Sequence, residues 1–319
     1  MLKFCLFCEK AYKIGLCLIV GLLRYLNDLK REGAQRGSGM SHVRFSDDEA
    51  AKITMQNKNI IVIPARYNSS RFPAKPLSLI KGYSLIYRVW SIAKTIKGID
   101  EVYIATDHAD IQSHALGFGA RLLMTGPCHN GTERIFTAIS SLEARPNLIL
   151  NLQGDAVLTP PWVIQALVDV MQAEPKVEIA TPAVHINRDQ YLIMQTAKSK
   201  GEVGGTMVVC DKDFNALYFS KRMIPYLRES VTETPPLYRH IGLYAYRYAA
   251  LERYISLSPT PLEKLEGLEQ LRLLENGSAI KVVIVDYKGH THASIDSPHD
   301  VKRVEQIIEK EGELVSLNQ

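Results

Sequence analysis

From residue 60 onward the chain alternates short β-branched runs with stretches of helical period, and this alternation limits the fold more than any other feature. The order is NIIVIPA, SLIYRVWSIAKTI, EVYIATD, ADIQSHALGFG, RLLMT, TERIFTAISSLEA and LILNLQGD. Strand followed by helix at this spacing marks an α/β chain with a doubly wound, mostly parallel sheet. After Val177 the text shifts to longer β-rich stretches, VEIATPAV, GTMVVCD, NALYFSK and RHIGLYAYRY, then a helix near 261–276 and a final strand and helix. That change predicts a smaller antiparallel, β-rich layer added to the parallel one.

Doubly wound sheets bind ligands outside the carboxyl ends of their strands. Three polar clusters fall at that edge: PARYNSSR after the first strand, Ala105 to Asp107 after another, and Gln153 to Asp155 after a third. The first continues as PARYNSSRFPAKPL, where Arg66, Arg71 and Lys75 share the loop with Pro64, Pro73 and Pro76. Proline fixes φ and so limits where the cations point. Pre-positioned, charge-assisted donors suit a polyphosphate. A soluble surface turn would account for the charge but not for so many rigid residues.

Composition narrows the function classes. With 319 residues and 46% hydrophobic content the chain can bury a large core. A formal charge of +4 is too small at this length to suggest nucleic acid as a partner. The five cysteines, at 5, 8, 17, 128 and 210, form no pair of metal-binding pairs and read as reduced thiols of a cytoplasmic protein. The metalloprotease, serine-hydrolase and P-loop signatures are all missing.

Residues 1–54 read as an N-terminal extension outside the fold, and residues 55–319 as the functional domain. The apolar run Ile14 to Leu23 is ten residues long, short of the roughly 20 that span a bilayer. Any membrane contact is therefore expected only through this extension. A polar, turn-rich stretch follows, and Met55 stands just before the first strand, as an alternative start would.

Other candidates each have an ordinary structural explanation. Asp155 ends an apolar strand after a glycine, and with Asp296 it would suit Mg²⁺, which is usually held by one or two carboxylates plus substrate phosphates. Asp296 precedes a Ser-Pro helix start, where it or Ser297 would serve as a cap. In PLEKLEGLEQLRLLEN, Leu262, Leu265 and Leu268 are expected to face a core, while Glu266, Glu269 and Gln270 share another face. His240 and Tyr244 are expected on one side of a single strand.

Together these segments resemble the 3-deoxy-manno-octulosonate (Kdo) cytidylyltransferases, within the wider group of CMP-ulosonate synthetases. The similarity runs in order from Asn59 to about Lys310, through IPARYNSSRFPAKPL, YIATDHADI, NGTERI, NLQGD, LYFSK, RHIGLYAYR, SPTPLEKLEGLEQLR and IDSPHDVKRV. The resemblance implies a nucleotidyltransferase-like fold that transfers CMP from CTP to the anomeric hydroxyl of Kdo, for lipopolysaccharide synthesis. It implies that Arg66, Ser69, Arg71 and Lys75 hold the CTP phosphates, with Thr132 and Arg134 near the nucleotide. Arg66, Lys75 and Asp155 would be catalytic, and Asp155 and Asp296 would hold Mg²⁺. Gln153, His240, Tyr244, Glu269 and Gln270 would hold the sugar. A homodimer in contact through the β-rich part around 177–260 is implied as well.

The sequence departs from the family wording at several points. Family members usually read P-G-K where this chain has Pro73-Ala74-Lys75, Q-G-D-E-P where it has Gln153 to Val157, S-G-T where it has Asn130-Gly131-Thr132, and F-S-R where it has Phe219-Ser220-Lys221. Ala74 implies a backbone that avoids the positive φ glycine tolerates. The loss of Glu-Pro after Asp155 and the exchange of arginine for Lys221 alter the sugar side. They leave two alternatives: a different ulosonate, 8-amino-Kdo or sialate-like, or a binding protein for CTP or sugar without catalysis.

Overall fold

The computed structural model describes residues 58–317 apart from 70, 202–203 and 229–235. The expected extension, 1–54, lies outside the described residues. Strands are β1 (Asn59–Ala65), β2 (Leu79–Ile80), β3 (Tyr83–Ser84), β4 (Glu101–Thr106), β5 (Arg121–Met124), β6 (Leu148–Asn151), β7 (Ile179–His185), β8 (Met207–Cys210), β9 (Ala216–Ser220), β10 (Tyr238–His240), β11 (Tyr244–Arg247) and β12 (Lys281–Val285). Helices are α1 (Leu85–Lys94), α2 (Ala109–Gly117), α3 (Gly131–Ile139), α4 (Pro161–Ala173), α5 (Arg188–Ser199), α6 (Tyr248–Ser256), α7 (Pro261–Glu266), α8 (Leu271–Glu275) and α9 (Pro298–Glu311).

The main sheet runs β5-β4-β1-β6-β11-β7-β10-β8-β9, with β12 on β7. Its first four strands are parallel, as the β-helix alternation predicts. From β6 the direction changes, and β11, β7, β10, β8 and β9 follow as antiparallel neighbours. The β-rich second half thus extends the same sheet sideways, and β2 and β3 form a separate small hairpin.

The sequence of β1 explains its central place. Ile60, Ile61, Val62 and Ile63 are all 0% exposed, and each such burial stabilises by roughly 1.5–3 kcal/mol. Alternate residues face opposite sides of a strand. Ile61 and Ile63 join the core under α1, α2, α4 and α9, whereas Ile60 and Val62 join the one under α3, α6 and α8. A strand buried on both faces has to be apolar, and from Ile60 to Ala65 this one is.

Two local expectations are corrected. The predicted helix over 261–276 breaks into α7 and α8, because Gly267 takes a left-handed conformation at φ 60 and caps α7. Leu265 is therefore 82% exposed rather than core-facing, whereas Leu262 and Leu268 pack on the core as expected. His240 and Tyr244 do not share one strand. His240 ends β10 and Tyr244 begins β11, two stretches that pair in succession along β7 with Ile241, Gly242 and Leu243 between them. Thr181 fills the interruption by donating to the Leu243 carbonyl at 2.7 Å, and the two rings still lie 5.4 Å apart.

The cationic loop also differs from expectation. Ala74 does not avoid positive φ but sits at φ 55, ψ 22. Its N–H donates to the Tyr67 carbonyl and its own carbonyl accepts from Leu77 N–H, both at 2.9 Å. These bonds close the loop and offset the left-handed strain of a β-carbon. Ala74→Gly is expected to raise stability by up to about 1 kcal/mol, measured as a higher urea midpoint with unchanged slope.

Candidate functional site

A cleft of about 710 Å³ opens at the carboxyl ends of β1 and β6 and continues along β10, β11 and the α7–α8 turn. Its close fit begins with backbone. A β-carbon on Gly154 would meet the Pro64 carbonyl oxygen at 2.7 Å, so glycine lets the ends of β1 and β6 approach. Gly131 likewise opens α3 near Pro64 and Gln153, behind an Asn130 cap whose Oδ1 accepts from Glu133 N–H at 2.8 Å.

The loop cations meet the two candidate carboxylates directly. Lys75 Nζ donates to Asp155 Oδ2 and to the Ile295 carbonyl, each at 2.8 Å. Arg71 donates to Asp296 Oδ1 at 3.2 Å. Asp296 does not cap α9. Ser297 is the cap residue, and Asp300 accepts from its N–H and hydroxyl, both at 2.9 Å. The Asp296 side chain is thereby left to Arg71. Arg66 lines the cleft and is exposed, while Ser69 and Arg71 lie outside its lining.

Thr132 and Arg134 are organisers of the wall. Thr132 is fully buried, donating to Glu269 Oε1 at 2.7 Å and accepting from Asn151 Nδ2 at 3.3 Å. Gln153 donates to Asn151 Oδ1 at 3.0 Å, which continues the chain of bonds toward the cleft. Arg134 holds α3 to the ends of β4 and β5 through Asp107 at 2.8 Å and Thr125 at 2.6 Å.

On the opposite side, Glu269 also accepts from the Tyr254 hydroxyl at 3.2 Å. Burial raises its pKa, partly offset by the hydrogen bonds from Thr132 and Tyr254. The Gln270 amide nitrogen and Tyr244 hydroxyl line the same cleft, buried and without hydrogen-bond partners among the described residues. Buried polar groups are normally satisfied, so these two donors fit a polar ligand. His240 bonds Thr181 Oγ1 through Nε2 at 2.8 Å, and burial brings its pKa down to about 3.

Each candidate metal carboxylate is held by its own loop cation: Lys75 Nζ bonds Asp155 and the Ile295 carbonyl next to Asp296, and Arg71 bonds Asp296 itself. Hard oxygens gathered around a positive charge are a donor set that fits Mg²⁺. No cluster of three or more His, Cys, Asp or Glu exists among the described residues.

A cytidylyltransferase family model matches residues 60–282. The chain is 47% identical over 257 residues to a 3-deoxy-manno-octulosonate cytidylyltransferase of Maricaulis maris, covering 80% of this chain and 99% of that one. The enzyme of the same name from Chlamydia abortus is 39% identical over 256 residues, 80% of this chain and 95% of its own. This chain belongs to the cytidylyltransferase family. A solved CMP:2-keto-3-deoxy-manno-octonic acid synthetase in complex with CTP superposes with a TM-score of 0.71 at 32% identity, covering 80% of this chain and all of that one.

Three residues of this cytidylyltransferase's cleft, Arg239, His292 and Arg303, were not singled out from the sequence. A basic residue directly before His240 was the available signal for the first. His292 and Arg303 sit in and after a loop whose path only the fold reveals.

The low pKa of His240 has a consequence for stability. An unfolded histidine titrates near 6.5, so below that pH the unfolded chain binds a proton that the folded one refuses until about 3. Stability is expected to fall with pH across that window, by about 1.4 kcal/mol per pH unit from this residue. Urea unfolding at several pH values should give a shallower dependence for His240→Gln than for the wild type.

Proposed function

We propose that the chain transfers CMP from CTP to the anomeric hydroxyl of 3-deoxy-manno-octulosonate, releasing pyrophosphate. The observation that carries this reading is the loop in which Lys75 and Arg71 engage Asp155 and Asp296 at the mouth of a cleft with unpartnered donors. Relatives matching nearly end to end bear this activity in their names.

The residues divide the work by position. Arg66, Ser69, Arg71 and Lys75 hold the triphosphate, and the two paired cations exchange their aspartates for phosphate oxygens as CTP enters. Thr132 and Arg134 act as the frame of the nucleotide side. Gln153, His240, Tyr244, Glu269 and Gln270 hold the sugar hydroxyls, with Glu269 as acceptor and Gln270 and Tyr244 as donors. Mg²⁺ held by Asp155 and Asp296 supplies charge neutralisation at the α-phosphate when bound. Arg66 and Lys75 add fixed positive charge beside the phosphate that accepts the attacking hydroxyl, so catalysis rests on alignment and electrostatics. We place the enzyme in the cytoplasm as a homodimer, joined through the β-rich part around 177–260. Light scattering should give twice the chain mass.

A second reading, a different ulosonate, is favoured by Ala156 on the cleft wall and by Lys221, whose ammonium would lie 3.0 Å from a β-carbon on Gly267. One assay separates the readings: CTP, Mg²⁺ and a panel of Kdo, 8-amino-Kdo and a sialate, read as pyrophosphate. Kdo is expected to give the highest kcat/KM. Asp155→Asn, which keeps an oxygen for Lys75, should lose at least about 10³-fold in turnover while its unfolding midpoint changes little. Near-normal pyrophosphate release by that variant would remove the metal assignment.

A further inference from the structure

Five cations line the cleft: Arg66, Lys75, Arg134, Arg239 and Arg303. Four have evident places. Lys75 and Arg134 bond Asp155 and Asp107, Arg303 pairs with Asp300 on its own helix at 3.1 Å, and Arg66 is exposed on the phosphate loop. Arg239 differs. Its Nε is buried without a hydrogen-bond partner among the described residues. Burial lowers its pKa, and the group that offsets this is the Tyr287 hydroxyl rather than a carboxylate. A buried donor of a cationic group left without an acceptor is costly, and a ligand anion would relieve that cost.

An ulosonate brings such an anion, and the sugar-side set of Gln153, His240, Tyr244, Glu269 and Gln270 contains no cation to receive it, while Lys221, the other cation on that side, lies outside the cleft lining and acts on the Glu266 carboxylate. His240 does not supply one, being held neutral by burial. Arg239, His292, Arg303 and Asp155 line the same cleft, and the charges of Arg239, Asp155 and Arg303 all reach the His292 imidazole. The hydroxyl that reacts sits on the carbon next to the carboxylate. An anchor for the carboxylate therefore has to share the cleft with Asp155, and Arg239 lines that same cleft.

We propose that Arg239 is the anchor for the sugar substrate's carboxylate, with His292 and Arg303 completing an anion subsite beside Asp155. This rests on the ulosonate reading of the cleft. The planar guanidinium fork matches a carboxylate bidentately and fixes the adjacent carbon, so that its hydroxyl faces the α-phosphate. The subsite makes the acidic group, rather than the sugar's far hydroxyls, the main requirement for binding.

The test uses the full chain, Arg239→Met and Arg239→Lys, with Kdo and its C1 carboxamide. Arg239→Met is expected to raise the KM for Kdo about 10- to 100-fold and to leave the KM for CTP within about twofold, with partial recovery in Arg239→Lys. Calorimetric binding should show the wild type preferring the acid over the carboxamide and Arg239→Met binding both alike. A variant that keeps the wild-type preference, or whose CTP and Kdo constants rise together, overturns the subsite. If the wild type releases no pyrophosphate with Kdo yet loses its preference for the acid on substitution, the subsite stands and the functional reading fails.

Discussion

The site depends on one ammonium group. Lys75 Nζ joins the loop after β1 to Asp155, 80 residues on, and to the Ile295 carbonyl, 220 residues on. Its side chain is 17% exposed, so the bonds are only partly screened by water. They hold the ends of two parallel strands and the approach to α9 in register, and Arg71 repeats the arrangement further out with Asp296. In the free protein each carboxylate already has a counter-charge. The fold therefore carries an acidic pair without the repulsion it would otherwise bring.

The opposite wall works on different terms. His240 is neutral, Glu269 is raised by burial, and the Gln270 amide nitrogen is without a partner among the described residues. Apart from Arg239, few formal charges act here, so recognition of the sugar hydroxyls rests on hydrogen-bond direction. Such a wall discriminates by leaving its buried donors unpaired when the wrong ligand enters. The Thr132–Glu269–Tyr254 bonds keep it rigid, because each member is fixed by a residue from another element.

Much of the parallel half was legible in the sequence because periodicity and burial agree there. NIIVIPA, EVYIATD and LILNLQGD each have an apolar centre, and each became a strand, the first and third ending at the cleft. The loop cations were legible for a similar reason, since proline and charge together are local properties. What stayed hidden depended on contacts distant in sequence. Leucine spacing over 261–276 ignored Gly267, whose left-handed backbone turns the chain and brings Glu269 and Gln270 to the cleft. Ala74 was misread because the bonds that hold it at positive φ come from Tyr67 and Leu77, which no residue preference encodes. His292 gained significance only when the final loop was seen beside Arg239 and Asp155.

The interrupted strand formed by β10 and β11 lies where the sheet changes direction, with β11 bonded to parallel β6 and β10 to antiparallel β8. The phosphate-handling loop hangs from one side of that boundary, and most of the proposed acceptor wall from the other. Substitutions among the antiparallel strands can then retune the choice of acceptor without moving the prolines and cations that manage the triphosphate. Three residues at a strand break, Ile241 to Leu243, keep the two inheritances in alignment while letting one of them diversify.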